Sequence, residues 1–373
     1  MKLYELLKGK KVIVTVGFGG VGKTTTAAAI GLYYAIIGHK VIVVTVDPAR
    51  RLATALGLEA MGGKPQSIDL TQVHNAPKGT FDIVMLDAEE VFKSIIDRFI
   101  SDEDLRNKLA SNRFFRRFTE AMSGTQEQAA VEKLYELTEG GKYDIIVLDT
   151  PPARHALEFL NSPRRMIEVL DDSVLRFLIS PATETLGVFS FGSRYISKIL
   201  SMFAGAEMLS QLAEFMSLLS GQMGGFKERA KAVEALLTDK RTTYLIVASP
   251  ESHAISGASM FYRALKDGGF KLGGVIFNRA NLTPYLPTTA DSLRRQLKEK
   301  FPNFKFPQGF EKRLFTSYMH ETNVARIHKT AASEIKKSCP DLPVFLVPAL
   351  DDEICDLKGV FAMSRAIFTS EGS

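Results

Sequence analysis

Short β-branched runs alternate with helical stretches along most of the chain. Val12–Val16 is such a run and ends at Gly17; a helical stretch from Lys23 to Ile37 follows and stops at Gly38; Val41–Val46 is again β-rich and ends at Asp47. Strand, loop, helix, strand is the opening of a parallel α/β sheet. Similar runs recur at Asp82–Leu86, Asp144–Leu148, Tyr244–Ala248, Gly274–Phe277 and Val344–Val347. Each is nearly continuous in apolar residues, as strands covered on both faces are. Each leads into polar, Gly or Pro residues, the place where open α/β sheets bind ligands.

Two segments break this rhythm. Glu89–Glu139 and roughly Ser173–Asp239 hold no convincing strand and read as helical insertions, the second rich in Met, Phe and Leu. The expected organisation is therefore a core made of 1–88, 140–172 and 240–373, and a helical subdomain made of 89–139 and 173–239. No internal repeat or low-complexity tract interrupts it. Thr369–Ser373 is expected to fray, and the amphipathic stretch LKGVFAMSRAIF before it to pack on the core.

Composition narrows the class. The chain has 373 residues, 45% hydrophobic and 24% charged, which is ordinary globular usage. A net charge of +5 is small for this length, and Lys and Arg are scattered, so no nucleic-acid partner is expected. The two cysteines, Cys339 and Cys355, form no CxxC pair and no zinc spacing. So few cysteines suit a reducing compartment. The N-terminus lacks a long apolar core, and no uncharged run reaches the ~18 residues a membrane span needs. A cytoplasmic protein without stable membrane insertion is the expectation.

Candidate chemistry begins at GFGGVGKTTT, which fits G-x-x-x-x-G-K-[ST] in full, with a strand before it and a helix after it. In such a loop backbone N–H groups cradle phosphate oxygens, and the helix points its positive end at the anion. Gly17, Phe18, Gly19, Gly20, Val21 and Gly22 would form the cradle, with Lys23, Thr24 and Thr25 opening the helix. Lys23 would place a cation on the β- and γ-phosphates, and Thr24 a hydroxyl on Mg²⁺. The fold expected is a P-loop NTPase fold, α/β with a mostly parallel central sheet. The reaction needs more: a carboxylate for the metal or the attacking water. Asp47 in VTVDPARRL and Asp149 in IIVLDTPPARHAL both end apolar strands. Either alone also suits a helix N-cap; together with the loop they point to a nucleotide site with Thr24, Asp47 and Asp149 as candidate Mg²⁺ ligands.

GGVGKTTT, DPARRLATALGL and DTPPARHALEFL together resemble the family of arsenite-pump ATPases and guided-entry ATPases that target tail-anchored membrane proteins, its bacterial members most closely. GTQEQAAVEKLYEL and VPALDDEICDL extend the likeness over nearly the whole chain. The resemblance implies ATP and Mg²⁺ bound at a dimer interface, with ATP changing a client-binding surface. It implies that Asp47 lies in a first switch and orients or deprotonates the attacking water. Asp149 would open a second switch and touch Mg²⁺ through water. Asn278 in GGVIFNRA would read the adenine edge, and Pro348 would lie against the base; a plain turn or cap residue is the other reading of Asn278.

The chain departs from that family's pattern. The family carries a second loop lysine that reaches into the partner's site, and here that position is Phe18. A phenyl ring cannot neutralise charge on a transferring phosphoryl group. By analogy with arginine fingers, such a loss costs roughly 10³–10⁵ in rate. Phe18 therefore implies a slow homodimer, or one half of a heterodimer with a lysine-bearing paralogue. Arg50 and Arg51 are candidate substitutes or simply surface residues at a helix start. No bridging-zinc CxxC pair and no arsenite-binding cysteine cluster is present.

The second insertion places Met202, Met208, Leu212, Met216, Leu219 and Met223 in one short stretch, several at helical spacing. Met suits promiscuous apolar binding surfaces, so a groove for a hydrophobic helical client is one reading. A helix packed on its own domain or on a dimer partner is the other, and periodicity does not separate them. Two rival functions stand beside a client-handling ATPase: a weakly hydrolysing regulatory subunit, and a positioning ATPase of the septum or plasmid-partitioning type.

Overall fold

In a computed structural model of the chain, the structure describes residues 1–46, 63–73, 77–86, 126–152, 154–169, 223–283, 289–303, 307–350 and 352–372, together with Ala53 and Leu56. Among them run, in chain order, α1 (Leu3–Leu7), β1 (Val12–Val16), α2 (Lys23–Ile36), β2 (Lys40–Thr45), β3 (Gln66–Ser67), β4 (Thr80–Met85), α3 (Gln126–Glu139), β5 (Ile145–Asp149), α4 (Arg154–Val169), α5 (Met223–Thr238), β6 (Thr242–Ala248), α6 (Ser252–Asp267), β7 (Leu272–Ala280), α7 (Ala290–Lys300), α8 (Phe310–Ser338), β8 (Val344–Pro348) and α9 (Leu357–Thr369).

The strands form one sheet in the order β3-β4-β2-β5-β1-β6-β7-β8. Every pairing is parallel except β3 with β4, an antiparallel edge. This is the α/β P-loop NTPase fold. β3 has only two residues, too few for a hydrophobic pattern to announce it.

Alternation along the strands divides the core in two. Val12, Val14 and Val16 face one side with Ile146, Leu148, Ile246 and Phe277; Ile13 faces the other with Val43, Val147, Val247 and Ile276. Helices α3, α4, α5, α6 and α8 cover the first side, and α1, α2 and α9 the second. The described ends of both helical stretches, α3 and α5, thus give Ala130, Leu134, Val233 and Leu237 to the same buried cluster as β1. Residues 89–125 and 173–222 lie outside the described residues.

The C-terminal stretch packs as its pattern predicts. Leu357, Val360, Met363 and Ile367 of α9 are buried against the second face with Ile30 and Tyr34 of α2. The tail does not fray as expected. Glu371 forms an antiparallel bridge with Lys2, Gly372 N–H donates to the Met1 carbonyl at 3.0 Å, and the Ser370 hydroxyl donates to the Leu346 carbonyl at 2.7 Å. Backbone partners supplied by the N-terminus hold a segment whose side chains carry no apolar signal. Among the described residues no helix is long and apolar enough to cross a membrane.

Candidate functional site

β1 is flanked by β5 and β6, so the chain crosses to opposite sides of it. Such a reversal opens a crevice at the C-terminal ends of the strands. The loop between β1 and α2 fills this position. Gly22 N-caps α2 with φ +91, a left-handed conformation, and a Cβ there would overlap the Asn278 side chain. A Cβ on Gly17 would overlap the Val247 carbonyl of β6. The glycines thus let the loop sit closer to β6 and β7 than any side chain would permit. Gly19 and Gly20 are exposed, Val21 is buried, and Gly19 faces Pro152.

Lys23 and Thr24 open α2 and are both buried, at 6% and 9% exposure. Buried lysines need compensating partners, and Lys23 Nζ donates to the Phe18 carbonyl at 3.0 Å. Thr24 Oγ1 donates to Asp149 Oδ2 at 2.6 Å. Thr25 follows, half-buried. Asp149 ends β5 fully buried, and the same Oδ2 accepts from Thr45 Oγ1 at 2.9 Å. The register places Thr15 and Thr45 on either side of Asp149. One step on, Thr150 Oγ1 donates to the Thr15 carbonyl at 2.7 Å. The start of DTPP is thereby fastened to β1 directly beneath the loop.

Asn278 lies on β7, buried, with Nδ2 donating to the Val21 carbonyl at 2.9 Å. Pro348 ends the neighbouring strand β8, paired with Ala280. Both candidate base-contacting residues therefore sit at the loop end of the sheet. The structure brings together Gly17, Val21, Gly22, Lys23, Thr24, Asp149 and Asn278 from β1, α2, β5 and β7. Asp47, Arg50 and Arg51 lie outside the described residues, as do Met202, Met208, Leu212, Met216 and Leu219. Met223 opens α5.

Phe18 does not stand alone in the crevice. Its ring lies against α6, where a Cβ on Gly257 would overlap it, and it meets His253 and Phe261 edge-on with ring centroids 6.3 Å apart in each pair. Nearby, Glu251 N-caps α6. Burial would raise its carboxyl, but hydrogen bonds from Ser249 and from its own backbone amide, with the charges of Arg279 and His253, hold it below the ordinary glutamate value. Arg279 has φ +57, the one non-glycine residue with positive φ among the described residues. It sits where the β7–β8 register shifts. Non-glycine residues held in this conformation gather at functional sites.

Sequence reading missed Thr45, Gly257 and Arg279. A hydroxyl closing VIVVT beside the strand that ends at Asp149 was a usable signal for Thr45. A glycine inside a helical stretch, which costs about 1 kcal/mol relative to Ala, was one for Gly257. Nothing in the sequence marks the Arg279 backbone.

The residues present fit a nucleoside triphosphate with a divalent cation. Gly17 and Gly22 open a cradle that a Cβ would close, α2 begins there, and a hydroxyl and a carboxylate supply the oxygen donors Mg²⁺ prefers. Among the described residues no group of three or more His, Cys, Asp or Glu gathers as a metal cage. Mg²⁺ bound beside substrate phosphates is ordinarily held by one or two protein groups.

Known proteins resemble the chain over most of its length. An ATPase named as an ASNA1 homologue from Paramecium tetraurelia is 27% identical over 244 residues, covering 65% of this chain and 67% of its own. ATPase GET3B of Arabidopsis thaliana is 27% identical over 318 residues, covering 79% and 70%. A relative from Aquifex aeolicus, whose name refers to driving an arsenical pump, is 23% identical over 367 residues, covering 97% and 79%. Residues 10–300 match the sequence profile of the anion-transporting ATPases, well over half of the chain, which therefore belongs to that family.

Proposed function

We propose that the chain binds ATP with Mg²⁺ at the Gly17–Thr24 loop and hydrolyses it, using the nucleotide state to control a hydrophobic client. The observation that carries this reading is the 2.6 Å hydrogen bond from Thr24 to Asp149, which joins the phosphate loop to the strand end opening DTPP. Lys23 would leave the Phe18 carbonyl for the β- and γ-phosphates, where its charge is greatest use in a water-poor crevice. Thr24 and Asp149 would hold Mg²⁺, with Asp47 as the further candidate. When bound, Mg²⁺ supplies charge neutralisation for the transferring phosphoryl group. Asp47 is the candidate to orient or deprotonate the attacking water. Asn278 and Pro348 are the candidates for the base.

A physical route leads from this site to the helical stretches. α4 starts directly after DTPP and packs on α3 and α5, the roots of the two insertions. Glu132 of α3 and Arg229 of α5 form a buried ion pair at 2.9 Å, and Arg164 of α4 pairs with Glu234 of α5 at 2.6 Å. A shift of Asp149 and Thr150 would therefore move a packed three-helix unit. We propose that this unit reorients a groove containing Met202, Met208, Leu212, Met216, Leu219 and Met223, in a homodimer or a heterodimer with a paralogous ATPase. The test is binding of an apolar helical peptide with and without ATP. ATP should tighten it, and Met208→Asp or Met216→Asp should abolish it with nucleotide affinity intact. Equal peptide binding by wild type and variants would sink the client reading.

The packing of Phe18 favours a second reading. Its ring is directed into α6, so this loop offers no cation to a partner's site. A weakly hydrolysing subunit completed by a lysine-bearing paralogue fits that arrangement. Steady-state ATPase of the chain alone and mixed with such a paralogue separates the two: stimulation supports the heterodimer, and fast turnover alone removes it.

A further inference from the structure

We propose that Gly257 is a positioning residue of the phosphate loop, its missing side chain forming a notch that seats Phe18 and so fixes the carbonyl that engages Lys23. The proposal rests on the nucleotide reading of the loop above. Gly257 is buried on the face of α6 formed by Ala254, Ala258 and Phe261. A Cβ at 257 would overlap two ring atoms of Phe18. Ring and carbonyl belong to one residue, and that carbonyl accepts from Lys23 Nζ at 3.0 Å. A continuous set of contacts thus runs from the α6 backbone through Phe18 to the lysine.

Two further facts support the notch. Glycine within a helix is less favourable than Ala, so its presence here calls for a packing reason. Phe18 also packs against the buried clusters on both faces of the sheet, so it is held from two sides at the strand ends. The loop's shape is therefore set partly from α6, outside the G-x-x-x-x-G-K-[ST] motif. Displacing the ring shifts the backbone at 18 and with it the cradle. Small misplacements in such sites have large consequences.

A double-mutant cycle on ATP affinity tests this, with melting temperature followed in parallel. Gly257→Ala should weaken ATP and ADP binding by about tenfold or more. In a Phe18→Ala background, where no ring fills the notch, the same substitution should leave affinity within about twofold. A purely structural role would shift the melting temperature and give equal affinity changes in both backgrounds, which overturns the proposal. If Gly257→Ala melts too low to titrate, recovery of the melt in Phe18→Ala/Gly257→Ala supports the notch, and no recovery overturns it. Lys23→Ala is the control for the site itself. If Lys23→Ala binds ATP like wild type, the nucleotide reading fails. If Lys23→Ala loses ATP while Gly257→Ala keeps it, only the notch fails.

Discussion

The two ends of the sheet both bury polar groups, but in opposite ways. At the C-terminal ends of the strands, Lys23, Thr24, Asp149 and Asn278 come from three elements, α2, β5 and β7, and the backbone near them takes left-handed conformations at Gly22 and Arg279. At the N-terminal ends, Asp82 of β4 is the centre of a closed set: Ser67 donates to Oδ1, and Tyr143 and Lys142 donate to Oδ2 at 2.7 and 2.9 Å. Beside it α2 and α9 close the sheet with rings, Tyr33 stacking on Phe368 at 3.6 Å between centroids. At the lower end Asp82 meets its three donors locally, and the left-handed positions there are glycines in the turns entering the strands, such as Gly9 before β1 and Gly38 before β2, with no non-glycine residue among them in the described residues. The upper end holds a buried lysine against the Phe18 carbonyl and keeps hydroxyl and carboxylate together in a crevice. Stability is invested below, and binding chemistry is collected above, where strain is characteristic of function.

Substitutions at the two ends should therefore differ in kind. Lys23→Ala should lower the hydrolysis rate by about 10²–10³ while leaving the denaturant midpoint nearly unchanged, because it removes one preorganised donor. Comparable loss of folding stability would break the contrast. Asp149→Asn should follow at about 10² in rate. Phosphate-release kinetics at saturating Mg²⁺ check both.

Asp82→Ala should do the reverse, costing about 2 kcal/mol of stability by chemical denaturation, with ATP affinity unchanged, because three donors lose a charged acceptor. Burial would raise the Asp82 carboxyl, but hydrogen bonds from Ser67, Tyr143 and Lys142 outweigh it and hold it below the ordinary range. The folded value lies under the unfolded one, so this contribution is complete above about 3.9 and is lost as pH falls through the lower folded value. Hydrogen bonds to Tyr143 and Asp82 raise Lys142, so its contribution is complete below about 10.4 and is lost as pH rises through the higher folded value. Stability curves of wild type and Asp82→Ala should converge at the acid extreme. Parallel curves would contradict the assignment.

Tyr34→Phe gives the smallest effect. The buried Tyr34 hydroxyl has no hydrogen-bond partner among the described residues. Removing it should change stability by less than about 0.5 kcal/mol or raise it slightly. A clear destabilisation would show that the lower end is less complete than described.

Much of this was legible in the chain. β1, α2 and the runs that became β2, β4, β5, β6, β7 and β8 declared themselves because strands covered on both faces must be continuously apolar. The phosphate loop declared itself because its chemistry is local in sequence. Tertiary acts were not legible. β3 is too short to carry a period, and the tail is held by backbone pairing with Lys2 and Met1 and by the Ser370 hydroxyl on Leu346 rather than by apolar side chains. Thr45 meets Asp149 only through strand register, and Gly257 meets Phe18 only because α6 packs on β6, the neighbour of β1. The Phe18 substitution was visible as a missing charge, whereas the ring's seat in a helix was not.

The central claim is that the upper end of the sheet is built for a nucleoside triphosphate. Calorimetric titration of ATP with Mg²⁺ into wild type and Lys23→Ala, matched with Asp82→Ala, tests it most directly. The account predicts saturable binding by wild type and Asp82→Ala with equal affinity, and weakening by about 10²-fold or more in Lys23→Ala. Equal ATP affinity in wild type and Lys23→Ala, or loss confined to Asp82→Ala, would contradict it.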